Sequence, residues 1–253
     1  MDIKSKVEKR IKELERFKNR PIDVLFSGGK DSLASLLISI QAGLKIRKII
    51  YTEVTGNTDQ KCNNYVHRIV EKLGLKDKLL HTKREDLDFY ECLKKWGIPI
   101  RYVNRWCLWE FKHRIWKEIC VSFQILGMKR IDSVNRKTSS LIQRKYITDD
   151  YFILPIYDFT TYEVIDYIKM CGVEINPCYH IYGHSGNCMF CPFHSKEKII
   201  LTLQDPYWRK KILNVLTQVE WKSQYSKYKV NRWLQYSNIY SIFNYVLNQL
   251  ESK

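Results

Sequence analysis

The sequence predicts an α/β fold: a doubly wound parallel sheet with a helix ahead of it and a helical appendage behind. Strand-like runs at Ile22 to Phe26 and Lys48 to Val54 flank a segment of helical periodicity, Leu33 to Ile40. The connections are short, and the first run stops in the turn Ser27-Gly28-Gly29 before helix resumes. Strands that alternate with helices pair in parallel, and such sheets bind ligands at the carboxyl ends of their strands.

Taken in order, residues 1–20 place Ile3, Val7, Ile11, Leu14 and Phe17 at three- and four-residue steps, one apolar stripe of an amphipathic helix that Pro21 ends. After the second strand and Thr55-Gly56-Asn57, a helix runs from Gln60 to Leu73, closed by Gly74. A short strand is expected at Lys78 to Thr82 and a helix at Asp86 to Trp96. Pro99 to Arg105 is irregular and leads to helix at Leu108 to Cys120; strand follows at Ser122 to Leu126. Thr160 and Glu163 have capping-box spacing and open a helix from Tyr162 to Met170. Residues 176–192 are loop-like, and helix returns from Glu197. The expected organisation is a helix over 1–20, an α/β domain over 21–195 and a basic, aromatic appendage over 196–253.

The first turn carries the clearest chemistry. Gly28 and Gly29 let backbone approach an anion, Ser27 and Ser32 add hydroxyls, and Lys30 adds charge at a helix N-terminus whose unpaired N–H groups favour phosphate. The spacing is neither that of the Walker loop nor that of the dinucleotide fingerprint.

Composition sets outer bounds. In 253 residues the net charge is +16, a field that favours polyanions such as nucleic acid and that a thermophilic surface or genome bias also produces. No stretch reaches the roughly 20 apolar residues of a membrane span, and the first 20 residues lack a signal peptide's apolar centre. A cytoplasmic location without membrane attachment is therefore expected. In such a compartment the eight cysteines suit metal binding or catalysis better than disulfides. Cys188 and Cys191 have C-x-x-C spacing in a Gly/Pro-flanked turn, with Cys178 ten residues upstream and Cys107 far back. Four such thiols suit zinc or an iron–sulfur cluster, and a redox dithiol competes for the pair. Cys62, Cys92, Cys120 and Cys171 read as buried packing residues, with Cys62 and Cys171 as reserve ligands.

Ser27 to Ser32 matches S-G-G-x-D-S and resembles the loop of the PP-loop ATP pyrophosphatases, which cleave ATP between the α and β phosphates. The order of landmarks resembles the phosphoadenylylsulfate (PAPS) reductase family, in its branch with a 4Fe-4S cluster. Thr55-Gly56 resembles that family's second-strand T-G, and Gly97 to Lys112, with Arg105-Trp106-Cys107, its G-x-P...R-W-C...K block. Gly127 to Arg136 resembles G-x-R-x-x-E-S-x-x-R with Asp132 for Glu, and Pro155 to Ile168 the P-I-x-D/N-W-T block with Phe159 for Trp. Asn176 to Pro192 resembles N-P-C-Y...G...G-C-x-x-C-P, with Asn187 for the second Gly. The likeness covers about residues 20–195.

This resemblance implies an adenine nucleotide alpha hydrolase-like fold, with ATP and Mg at Ser27, Gly28, Gly29, Lys30, Asp31 and Ser32, assisted by Gly56, Gly127 and Arg130. Lys30, Asp31, Arg105 and Arg136 are the implied catalytic residues: the cations neutralise phosphate charge and Asp31 orients the loop or Mg. Cys107, Cys178, Cys188 and Cys191 are the implied cluster ligands. The activity implied is adenylation of an acceptor for sulfur transfer, as in the sulfurtransferase of DNA phosphorothioation and the tRNA thiolation enzymes. Its partners would be ATP or an adenylyl nucleotide, tRNA or DNA, and a cysteine desulfurase or other sulfur donor. The family's reductases attack with a cysteine in a C-terminal Glu-Cys-Gly-(Ile/Leu)-His tail, and no cysteine follows Cys191 here. Reduction of adenylyl sulfate or PAPS therefore needs a thiol from another chain, Cys62 or Cys171; a non-catalytic nucleotide-binding subunit is the third alternative. Between Tyr207 and Tyr240 cations alternate with Trp and Tyr, which suits stacked single-stranded bases or an aromatic helical bundle.

Overall fold

The computed structural model describes residues 2–99, 105–144, 150–216 and 218. The aromatic and basic segment beyond 218 and residues 100–104 of the Arg105 block lie outside the described residues. The polypeptide forms two compact units, each assembled from separated stretches: Met1–Glu53, Gln60–Thr82 and Ile115–Pro177 in one, Val54–Asp59, Lys83–Arg114 and the chain from Cys178 in the other.

The first unit holds the sheet. Its strands are β1 (Ile22–Leu25), β2 (Ile46–Thr52), β3 (Leu79–Thr82), β4 (Phe123–Leu126), β5 (Ile142–Arg144) and β6 (Tyr151–Ile153), in the order β3-β2-β1-β4-β6-β5. All pairings are parallel except that of β5 with β6. From β1 the chain winds outward through β2 to β3 and then returns to the far side of β1 for β4. The order therefore reverses beside β1, and the loops after β1 and β4 border one crevice.

Helices α1 (Ile3–Leu14), α2 (Lys30–Gln41), α3 (Gln60–Lys72) and α7 (Thr161–Met170) belong to this unit. The stripe predicted for the first helix is buried at Val7 and Leu14. On the same helix Arg10 is 2% exposed, donates to the carbonyl of Pro155 at 2.9 Å and to Asp158 at 2.8 Å, and lies on the Tyr157 ring. The capping box forms as the spacing predicted: Thr160 Oγ1 accepts from Glu163 N–H at 3.1 Å, and Glu163 accepts from Thr160 N–H.

At the amino end of the sheet Asp23 is fully buried and receives Arg47 Nε at 2.9 Å and Val121 N–H at 2.8 Å. Alanine there strands the Val121 backbone donor and leaves the Arg47 guanidinium with the Ile119 carbonyl but no carboxylate. The expected cost is about 3 kcal/mol, read as a lowered urea midpoint with unchanged slope.

The second unit contains α4 (Phe89–Trp96), α5 (Trp106–Leu108), a π-helical turn (Trp109–His113), α8 (Cys178–Tyr182), α9 (Lys196–Gln204) and α10 (Pro206–Leu216); α6 (Arg114–Ile119) carries the chain back to the first unit. Phe89 lies 5.3 Å from Trp106, 6.2 Å from Phe111 and 6.3 Å from Phe190, ring centre to ring centre, forming an aromatic core. α10 packs on α4 and α9, and α9 on α8. Among the described residues no helix is long and apolar enough to cross a membrane.

Candidate nucleotide cradle and thiol cluster

In the first unit, strand β1 ends and the chain turns sharply into α2. Gly28 has φ +71°, and a Cβ there would lie 2.9 Å from Val66 and 3.1 Å from the thiol of Cys62, so glycine is required both for conformation and for space. The hydroxyls close the turn: Ser32 Oγ donates to the carbonyl of Gly29 at 2.9 Å and lies 3.1 Å from Ser27 Oγ. Asn176 donates to the carbonyl of Gly28 at 3.0 Å. Gly29 is the N-cap of α2, so the first amides of that helix emerge at the crevice.

The loop after β4 meets this turn. A Cβ on Gly127 would stand 2.5 Å from Ser32 N and 2.6 Å from Asp31 O, backbone atoms that cannot swing aside. Two residues on, Lys129 is 1% exposed, and its ammonium joins Asp31 and, at 3.1 Å, Asp132. Lys30 also reaches Asp31 at 3.0 Å, and Arg136 reaches Asp132 at 2.9 Å. Three cations and two carboxylates thus form a fixed network, in which Asp31 positions lysines.

Of the residues expected at this site, Ser27 to Ser32, Gly127 and Arg136 are gathered here. Arg130 neighbours them, but its Nε donates to the carbonyl of Ser139 and its guanidinium covers the Tyr157 ring at 4.6 Å. Lys129, which the sequence reading passed over, holds the centre. Counting the G-x-R-x-x-E block from Gly127 puts Lys129 at its first basic position, so the signal lay in the register.

Gly56 and Arg105 belong to the second unit. At Gly56, φ is +82° and a Cβ would collide with Asp88, the N-cap of α4; the Gly56 carbonyl accepts from Lys211 at 2.7 Å. Arg105 lies on the Phe193 ring at 5.1 Å, beside the thiols.

The turn bearing Cys188 and Cys191 is clamped by residues 57–59. Met189 N–H donates to the Asn57 carbonyl and Asp59 N–H to the Gly186 carbonyl, each at 2.8 Å. The Asn57 side chain donates to the Phe190 carbonyl at 2.9 Å and accepts from its N–H at 2.8 Å. Gly186, φ +78°, lets the turn press on Cys178, whose sulfur would lie 2.9 Å from a Cβ at 186.

Cys107, Cys188 and Cys191 lie within one another's electrostatic reach. Burial and then the field of Cys188 push the Cys107 thiol up to about 11, against an opposing pull from Arg105 and Lys112. Burial, Cys188 and Cys107 push Cys191 up to about 12. Buried thiols such as Cys107 and Cys191 that resist ionising suit a site where a cationic centre supplies the missing charge. Among the described residues no three His, Cys, Asp or Glu side chains are already drawn together around one ion. Of the reserve ligands, Cys62 is fully buried in the first unit, accepting from Tyr51 OH at 3.5 Å, and Cys171 accepts from Gln41 at 3.6 Å.

Two histidines missing from the sequence reading adjoin this turn, their rings 4.3 Å apart. Burial and Lys198 lower His184 to about 4, while burial, His184 and Lys198 lower His194 to about 3. Both are neutral in the fold and take protons first in the unfolded chain. Stability is accordingly expected to fall as pH drops below the ordinary 6.5, by about 1.4 kcal/mol per pH unit for each histidine until the folded values are reached. Urea midpoints at pH 7 and pH 5 check this, and equal midpoints would contradict it.

A family model, the phosphoadenosine phosphosulfate reductase domain, matches residues 21–192. The chain belongs to the PAPS reductase family. Two uncharacterized proteins of Methanocaldococcus jannaschii, MJ0066 and MJ0973, are 29% and 28% identical to it over 182 and 188 residues. These matches take in 68% and 73% of this chain but only 36% and 44% of those proteins, so it spans less than half the length of either. Among solved structures, the U34-tRNA thiolase NcsA of Methanococcus maripaludis, with its 4Fe-4S cluster, aligns with TM-score 0.51 and 14% identity over 85% of this chain and 78% of its own. That likeness is one of fold. PAPS reductase family membership agrees with the six-stranded, mostly parallel sheet and its crevice beside β1.

Proposed function

We propose that this chain is a PP-loop ATP pyrophosphatase that adenylates a nucleic-acid acceptor, tRNA or DNA, for sulfur transfer, and that its thiols hold a 4Fe-4S cluster. The observation that carries the reading is the contact of the loops after β1 and β4, where amides, two serine hydroxyls and a buried lysine meet at the crevice. Attack of an acceptor oxygen on the α phosphorus forms an adenylate and releases pyrophosphate. Such a step asks a protein mainly for positioning and charge neutralisation.

The α2 amides with Ser27 and Ser32 would hold phosphate oxygens, while Lys30, Lys129 and Arg136 would offset the charge of ATP and its Mg. Gly127 admits the phosphates by keeping its loop thin. Cys107, Cys178, Cys188 and Cys191 would hold the cluster, with zinc as the alternative for the same donor set. When bound, a cluster supplies sulfur-binding iron. Arg105 favours ionised thiols there, since its charge opposes the rise at both Cys107 and Cys191. The net charge of +16 supports a polyanionic acceptor, and a cysteine desulfurase or similar protein would supply sulfur.

The test is pyrophosphate–ATP exchange by anaerobically purified chain, with and without added tRNA or DNA, alongside iron and zinc analysis. Acceptor-dependent exchange with iron that is lost in a Cys188→Ser, Cys191→Ser variant is the expected result. Sulfite release from PAPS without exchange would overturn it.

A further inference from the structure

Where β2 and the edge strand β3 end, three side chains of the first unit stand in line. Nε2 of His81 lies 2.9 Å from Glu53 Oε2, and Nδ1 of His81 lies 3.0 Å from Nε2 of His67 on α3. One helical turn earlier, Asn63 donates to the same Glu53 oxygen at 3.2 Å and accepts from Tyr51 OH at 2.7 Å. The Tyr51 ring also lies 4.8 Å from that of His81. The glutamate is thus fixed, and so is the imidazole that faces it.

Hydrogen-bond chemistry then dictates the tautomers. An ionised carboxylate only accepts, so the single proton of a neutral His81 sits on Nε2 and its Nδ1 is bare. A bare Nδ1 only accepts, so His67 must donate from Nε2. That leaves Nδ1 of His67, an exposed residue, as the lone pair of the chain. A carboxylate that orients an imidazole base is the arrangement found behind activated nucleophiles, here lengthened by one ring.

We propose that Glu53, His81 and His67 form a proton relay, with Nδ1 of His67 as general base for a sulfur nucleophile that carries an S–H. The choice of substrate rests on the sulfur-transfer reading above. In that sequence an acceptor carbonyl or phosphate oxygen has no proton to lose, whereas hydrosulfide does. As sulfur bonds to the adenylated acceptor atom, that atom's bond to the AMP oxygen breaks and its electron pair leaves with AMP. The S–H proton goes to Nδ1 of His67. The Nε2 proton of His67 can then pass to His81, placing the positive charge beside Glu53. Partial burial, His81 and Lys76 hold His67 below the usual imidazole range, which keeps the lone pair available at neutral pH.

Nitrogen-15 spectra of the histidines in the full chain give the first readout: His67 protonated at Nε2 in the wild type, with the Nδ1–H form increasing in Glu53→Gln. Sulfur incorporation from hydrosulfide into the acceptor gives the second. His67→Gln is expected to slow it about 100-fold while pyrophosphate exchange stays unchanged. An Nδ1–H His67 in the wild type overturns the relay, and so does sulfur incorporation by His67→Gln within about threefold of normal. If the wild type neither exchanges pyrophosphate nor incorporates sulfur, the adenylation reading fails and the base loses its substrate; the spectrum judges the tautomers independently.

Discussion

Replacing Lys129 by methionine is expected to cut acceptor-dependent pyrophosphate exchange by about 100-fold or more, the scale seen when one preorganised charge donor is removed. The ammonium is 1% exposed and bridges Asp31 to Asp132, so methionine fills the space but leaves two carboxylates facing each other across it. Lys30 and Arg136 remain on the outer sides and limit the damage to stability. A loss of about 2 kcal/mol is expected, within the range for a hydrogen bond to a charged group. The rate effect should exceed the stability effect, because Asp31 would reclaim Lys30 from the phosphates. A methionine variant that exchanges pyrophosphate at near-normal rate would remove Lys129 from the cradle.

The second large effect is expected from Gly127→Ala. Its methyl group would need about an ångström of relief from the backbone of Asp31 and Ser32, and overpacking of this kind costs about 1–3 kcal/mol or more. Relief can come only by parting the two loops, so the Michaelis constant for ATP should rise at least about tenfold, a cost of about 1.4 kcal/mol in binding. Gly172→Ala is the control: nothing lies within 4 Å of a Cβ there, and only its φ of +64° opposes the change. That variant should lose about 1 kcal/mol and bind ATP normally. Equal ATP constants for the two alanine variants would contradict the packing account.

Much of this was legible in the sequence, and the exceptions have physical causes. The helix expected from Gln60 to Leu73 runs Gln60–Lys72, and the strand expected at Ser122 to Leu126 runs Phe123–Leu126, because both carry strong periodicity or clear ends. The β5–β6 pair was missed: three-residue strands are too short for alternation to register. The segment after Asn176 read as loop and begins α8, although Pro177 just ahead of Cys178 is a recognised helix opener. Helix was expected from Leu108 to Cys120; the π turn at Trp109–His113 interrupts it and leaves no mark in composition.

At the candidate site, the Ser27 to Ser32 turn could be read because a strand-to-helix turn is local. Asn57 could not. It looks like any turn asparagine, and its partner Phe190 is 133 residues away. Lys129 was readable but displaced by one position, because the arginine that the block's pattern names stands next to it as Arg130. Of the tryptophans in the aromatic segment, Trp208 is 4% exposed and bonds Asp59 at 2.8 Å, so at that residue the aromatic ring anchors packing.

The scattered make-up of the two units bears on how the polypeptide leaves the ribosome. The chain passes from one unit to the other after Glu53, Asp59, Thr82, Arg114 and Pro177, so neither can finish from a contiguous nascent fragment. Until β4 emerges, β1 offers an open edge to any other unpaired strand, a state prone to aggregation. Synthesis through Pro177 is thus the earliest moment at which the sheet-bearing half can become protease-resistant, whatever the order in which its pieces collapse.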